Sequence, residues 1–242
     1  MSGFSMRRMM LIFSRDFNEY RKTKILPILL AVLVIGAVVC GITMTSSTSG
    51  NEELATPMGQ GMWISILGTV LMMFSFLPQM ICIPVFATRP LTYEKANGVA
   101  MSLLATEITP REIWTGKGLA IFVPGMIGSL LSLGILTPFF LSIVPIPVTV
   151  FICAFVVLPL AMLLMAMITV QLSMIKSVDL AIAPSYIFGF LLMALFPVGA
   201  LTGVFVPGST AFLLVCLGIL LIALVAERIL AAKTTIEKVI LA

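Results

Sequence analysis

A chain of 242 residues with 60% hydrophobic and only 10% charged side chains, at a mean hydropathy of +1.20, cannot cover a water-facing surface. Soluble domains carry about 25% charged residues. The net charge of +4 therefore reads as membrane topology, not as attraction to nucleic acid. The chain has no histidine, which removes the commonest metal ligand and the side chain best suited to proton transfer near neutral pH.

Residues 1–24 are amphipathic and too polar to span. Met6, Met10, Phe13, Phe17 and Tyr20 recur at spacings of four and three and share one helix face, with Arg8, Arg15 and Glu19 opposite. Such a stripe suits an interfacial, elbow-type helix lying in the plane of the membrane surface. A plain basic flank that fixes topology is the alternative, and Leu11 and Ile12 stray from the stripe. Asp16 and Glu19 precede the first apolar run, which is long enough to span, so a cleavable signal peptide is not expected.

Six apolar blocks follow, near 25–44, 62–87, 118–140, 148–174, 180–204 and 210–230, each close to the roughly 20 residues needed to cross the hydrocarbon layer. The fifth carries Pro197, Gly199, Gly203 and Pro207, which predict a broken or re-entrant outer end. Pro78, Pro84, Pro124, Pro159 and Pro184 are expected to kink helices or mark their ends.

All 14 Lys and Arg residues fall before the first block, between the second and third, between the fourth and fifth, or at the end of the sixth and beyond it. The alternate loops hold no basic residue, and their only charges are Glu52 and Glu53. The positive-inside rule then puts both termini and the 88–117 loop in the cytoplasm, with residues 231–242 as a cytoplasmic tail. The expected fold is an all-α membrane protein: an interfacial helix, six transmembrane helices, and both termini on the cytoplasmic side of the plasma membrane.

Within the blocks, Asp, Glu, Lys and Arg occur only near the cytoplasmic ends. An ion-driven carrier needs a charge near the bilayer midplane, and an intramembrane hydrolase needs a His, Asp or Glu beside its nucleophile. The energy is expected to enter from outside the membrane. Gln79, Gln171, Ser65, Ser75, Ser129 and Ser132 read as interhelical hydrogen-bonding groups. The 17 methionines fit packing and lipid-facing roles, or the lining of a pliable apolar path. Cys40, Cys82, Cys153 and Cys216 sit singly in apolar runs, as buried filler.

The polar segment RPLTYEKANGVAMSLLATEITPREIWTGK, 89–117, is the place for that energy to enter. Thr92 is expected to cap a helix from Tyr93, Gly98 to weaken it, and Leu103 and Leu104 to give it an apolar surface. Thr109, Pro110 and Glu112 form a capping box that starts a second helix running into the third span. A short exposed helix with apolar residues and flanking charges is a docking element for another protein.

This segment resembles the E-R-E-x-G-T-L-E-x-L-L-x-T-P-I-S-R-x-E-I-x-x-G-K stretch between the second and third spans of ABC-2-type transporter permeases. Glu94, Lys95, Gly98, Leu103, Leu104 and Thr106 fall on that pattern, as do Ile108, Thr109, Glu112, Ile113, Gly116 and Lys117. Ala96 and Met101 replace acidic residues, Val99 replaces threonine, and Glu107 stands where proline is usual. The interfacial helix, six spans and basic tail are similar to the same family over nearly the whole chain.

The resemblance implies a permease subunit of an ABC exporter, a dimer with a second permease copy or paralogue, served by two copies of a separate ATPase subunit. It implies that Glu94–Thr106 is the coupling helix and that the Lys176–Asp179 turn is a second cytoplasmic contact. No GxxxxGK[ST] motif occurs, so no cofactor is expected in this chain; ATP and Mg would be bound by the partner, and the chain itself would not be an enzyme. The expected cargo is hydrophobic or amphipathic. The alternatives are a non-transporting ABC-2-like anchor that transmits mechanical movement, and a stand-alone channel or secondary carrier.

Overall fold

The computed structural model describes residues 4–48, 56–97, 108–204 and 206–233. Among these the chain is helical, without strands, in seven helices. They are α1 (Met6–Lys22), α2 (Ile25–Thr48), α3 (Pro57–Ala96), α4 (Pro110–Leu141), α5 (Val148–Ile175), α6 (Val178–Leu201) and α7 (Thr210–Lys233). The six after α1 are each long and apolar enough to cross a membrane.

These six divide into inner and outer helices. Buried residues make up 67% of the most apolar window of α3 but 22% of those of α2 and α7. In α2 the outward row Ile28, Val32, Ile35, Val39 and Ile42 is exposed, whereas α3 buries Leu67, Leu71, Met72, Phe76 and Ile83. A helix apolar on every side is at home in lipid or in a core, and this bundle supplies both settings.

Helix α4 is the hub, packing against α1, α2, α3 and α5. Its glycines permit the close approaches. A Cβ on Gly125 would stand 2.7 Å from the Gln79 Cα of α3, and one on Gly116 would stand 2.9 Å from the Met9 carbonyl oxygen of α1. Small residues let helix backbones meet where no solvent drives association.

At 40 residues, α3 is about 60 Å long at 1.5 Å per residue, twice the hydrocarbon thickness. The expected new helix start at Thr92 is not there. The Thr92 hydroxyl donates instead to the Thr88 carbonyl (2.7 Å), the i−4 back-bond that lets a threonine sit inside a helix. Helix α3 therefore runs unbroken through Pro78, Pro84 and Pro90 to Ala96. The second predicted start is present: Pro110 opens α4, and Thr109 and Glu112 form the capping box.

Helix α5 contains one π-helical turn, Cys153–Val157, next to Pro159. Proline has no N–H, so it leaves a carbonyl of the preceding turn without its helical partner. With the Leu158 N–H donating to the Cys153 carbonyl, five residues back, the corresponding orphan is the Ala154 carbonyl. Ser75 of α3 supplies the missing donor to it. Helix α6 passes through Pro197 as continuous helix and ends at Leu201, with Gly203 at φ +68° after it. The described residues thus hold no break at Pro197.

Candidate functional site at the charged end

The stems of the 89–117 segment, the last turns of α3 and the first of α4, lie side by side and are joined through Lys117. Its ammonium donates to both carboxylate oxygens of Glu94 (2.6 Å each) and to Asp16 Oδ2 of α1 (3.1 Å). The side chains are nearly out of solvent, with exposures of 5% for Lys117, 7% for Asp16 and 12% for Glu94. One ammonium with three donors thus serves two carboxylates from two other helices. Arg15, largely exposed, adds a second cation 3.9 Å from Asp16 Oδ1. Gly116, beside Lys117, is where α1 comes close enough for Asp16 to reach in.

Tyr20 closes the cluster from below. Its ring packs against Phe86 at a centroid distance of 5.2 Å. Burial, then the charges of Asp16, Glu94 and Glu19, push its phenol well above the usual range, so it stays neutral.

Two helix starts share one carboxylate. Glu112 is fully buried, and its Oε2 accepts from the Thr109 N–H (2.8 Å). Its Oε1 accepts from the N–H of Ser5 (2.6 Å), the residue at the head of α1. Burial raises its pKa, but the Thr109 and Ser5 N–H groups, the Thr109 hydroxyl and Arg8 outweigh that and hold it below the ordinary 4.5. Glu112 lies before the apolar stretch of α4.

The remaining helices are tied in nearby. Lys95 Nζ donates to the Lys176 carbonyl (3.0 Å) just past the end of α5, where a helix dipole favours a cation. Gln171 of α5, fully buried, donates to Glu227 Oε1 of α7 (3.0 Å), and Arg228 flanks the same carboxylate at 3.8 Å. Lys176 and Asp179 are exposed on the α5–α6 turn, with Asp179 in the first turn of α6. Among the described residues no three His, Cys, Asp or Glu side chains converge to hold a metal.

No family model, curated protein or solved structure matches this chain.

The expected docking residues divide in two. Gly98, Leu103, Leu104 and Thr106 lie outside the described residues. Glu94 turns inward to Lys117, and Lys95 bridges to the α5–α6 turn, so the two expected cytoplasmic contacts meet through that bond. The predicted α1 stripe also divides. Tyr20 belongs to a buried row with Met9, Ile12 and Asp16; Phe13 and Phe17 are half-buried and stack at 5.6 Å; Met6 and Met10 face outward.

Sequence reasoning missed Asp16, Lys117 and Glu227 as partners. A signal for Asp16 was present. It continues the spacing of Met9, Ile12 and Tyr20, a carboxylate in an apolar row, which implies a buried cation from elsewhere. At the opposite end, a cleft of about 900 Å³ opens between the first turns of α3 and the end of α6. Met58, Met62, Met73, Pro197 and Leu201 line it, with Ser65 and Thr69 as polar points.

Proposed function

We propose that this chain is the membrane-spanning permease subunit of an ABC-2-type exporter, working as a dimer with two copies of a separate ATPase. In this reading the six long helices cross the plasma membrane, the charged end faces the cytoplasm with both termini, and α1 lies in the interface. The observation that carries it is the clamping of both stems of the 89–117 segment. Lys117 holds Glu94 and Asp16, while Lys95 holds the end of α5. A push delivered between the stems would move α1, α3, α4 and the α5–α6 turn together, because buried ion pairs resist separation. ATP binding by the partner supplies that push, and the spans re-open to the outside.

The apolar cleft with its flexible methionines favours a hydrophobic or amphipathic cargo, since thioethers adapt to varied shapes. Co-expression with the ATPase tests the docking part of the reading. Leu103→Asp/Leu104→Asp should release the ATPase while the purified permease keeps its wild-type melting temperature; co-purification at wild-type yield would overturn docking there. Reconstituted vesicles test transport. Normal ATP turnover with no movement of any of a broad panel of apolar compounds would replace the exporter by a mechanical anchor.

A further inference from the structure

The cations around α1 fall into two groups. Lys117 and Arg15 have carboxylate neighbours, and Lys95 has a helix end. Arg7, Arg21, Lys22 and Lys24 are exposed and have no acidic partner among the described residues. Three of these four sit at the corner between α1 and α2. That corner is held in place: the Thr23 N–H and hydroxyl both donate to the Tyr20 carbonyl (3.1 and 2.6 Å), and Tyr20 is buried against Phe86. The basic side chains project from a fixed backbone immediately before Ile25, where the first apolar helix begins.

Around α1 the order of surfaces is informative. The row Met9, Ile12, Asp16 and Tyr20 is buried against the bundle, and the neighbouring strip is the exposed Met6 and Met10 with Phe13 and Phe17. Beyond that strip come Arg7 and Arg21, 14 residues apart and so within about 40° of each other at 3.6 residues per turn. An apolar strip bordered by cations places methyl and aromatic groups at acyl-chain depth and the cations at phosphate depth.

We infer that the α1–α2 corner is a binding surface for anionic phospholipid headgroups, with Arg21, Lys22 and Lys24 on the phosphates and Met6 and Met10 among the acyl chains. The inference rests on the interfacial placement of α1 and is independent of the export reading. Its occupant follows from charge complementarity: of three cations without an acidic partner among the described residues, Arg21 borders the apolar strip of α1 while Lys22 and Lys24 adjoin the first apolar turn of α2, with Glu19 as the one exposed carboxylate on α1. Each such cation is worth about fivefold in affinity for an anionic surface.

The full-length protein in neutral detergent, titrated with phosphatidylglycerol or phosphatidylcholine and followed by thermal unfolding, tests this. The wild type should respond at a concentration of phosphatidylglycerol at least tenfold lower than of phosphatidylcholine. Arg21→Gln/Lys22→Gln/Lys24→Gln should lose most of that preference and keep its melting temperature in phosphatidylcholine, because the three exposed side chains make no hydrogen bond or ion pair among the described residues. An unchanged preference in the variant would overturn the assignment. So would equal stabilisation by free glycerol phosphate, which would identify a soluble anion as the occupant.

A fluorophore on Met10→Cys, in a Cys40→Ala background, separates headgroup binding from the interfacial placement of α1. Quenching by brominated lipid without anionic preference would sink the headgroup site and leave α1 in the interface. No quenching would remove both.

Discussion

The two ends of this bundle are built on different physics. At one end Asp16, Glu94, Lys117, Glu112, Lys95 and Glu227 bind helices to one another through charges and charged hydrogen bonds. At the other, the described residues carry no charge, and the helices are held by shape. The α6–α7 turn lies so close to α3 that a Cβ on Gly68 would stand 2.6 Å from the Pro207 ring, and Thr149 donates to the Gly208 carbonyl at 3.1 Å. A charge pair fails abruptly when one member is lost, whereas a packed surface loses stability in proportion to the misfit. The charged end therefore resists separation of its helices, and the uncharged end, beside its cleft, answers to small misfits in packing.

Removing the shared cation should have the largest effect. Lys117→Met leaves two carboxylates facing each other in a buried site, and a loss of about 3–5 kcal/mol is expected, seen as a steep fall in melting temperature or folded yield. Combining it with Asp16→Asn and Glu94→Gln should recover most of that loss, since no uncompensated charge then remains. A triple variant no better than Lys117→Met would show that packing of the lysine stem, not charge, holds this end.

At the uncharged end, Gly68→Ala drives a methyl group into the rigid Pro207 ring, and a loss of about 1–3 kcal/mol is expected by the same assay. A larger penalty than that of Lys117→Met would reverse the ranking of the two ends.

The Glu112 capping box gives a smaller and pH-dependent effect. Thr109→Ala should cost about 1 kcal/mol at neutral pH. Because the folded pKa of Glu112 is depressed, its contribution is complete above the ordinary value of 4.5 and disappears as pH falls through the lower folded value. Glu112→Gln should therefore flatten the acid limb of a stability–pH curve between 4.5 and the lower folded value; an unaltered limb would show that other carboxylates control it. The smallest change belongs to the cleft wall. Ser65→Ala should shift stability by no more than about 0.5 kcal/mol, as it removes one hydroxyl from a partly open surface.

Much of the fold was legible in the residues because lipid imposes a simple rule. A span must be apolar over its whole length, so the six candidate helices stood out by composition, and the Thr109–Glu112 capping box marked the start of α4 by local hydrogen bonding alone. The continuation of α3 to Ala96 was not legible. Thr92 is equally able to cap a new helix or to bond back to Thr88, and the choice depends on Glu94 being drawn to a lysine 23 positions away. The Pro197, Gly199, Gly203 and Pro207 signal could not say where the helix would stop: it is continuous through Pro197 and ends at Leu201, with Gly203 at positive φ after it.

The sequence by itself determined how many helices are apolar enough to span, and the alternation of basic and neutral loops, since both follow from which groups lipid and water accept. Which of those helices are inner and which outer was decided only by tertiary structure, because hydropathy does not sort them: α5 is at least as apolar as α7, yet α5 is 56% buried over its most apolar window and α7 22%. The same holds for the charged cluster. Asp16, Glu94 and Lys117 are three isolated charges along the chain, and only the packing of α1 and α3 on α4 at Gly116 and Gly125 makes them one buried group.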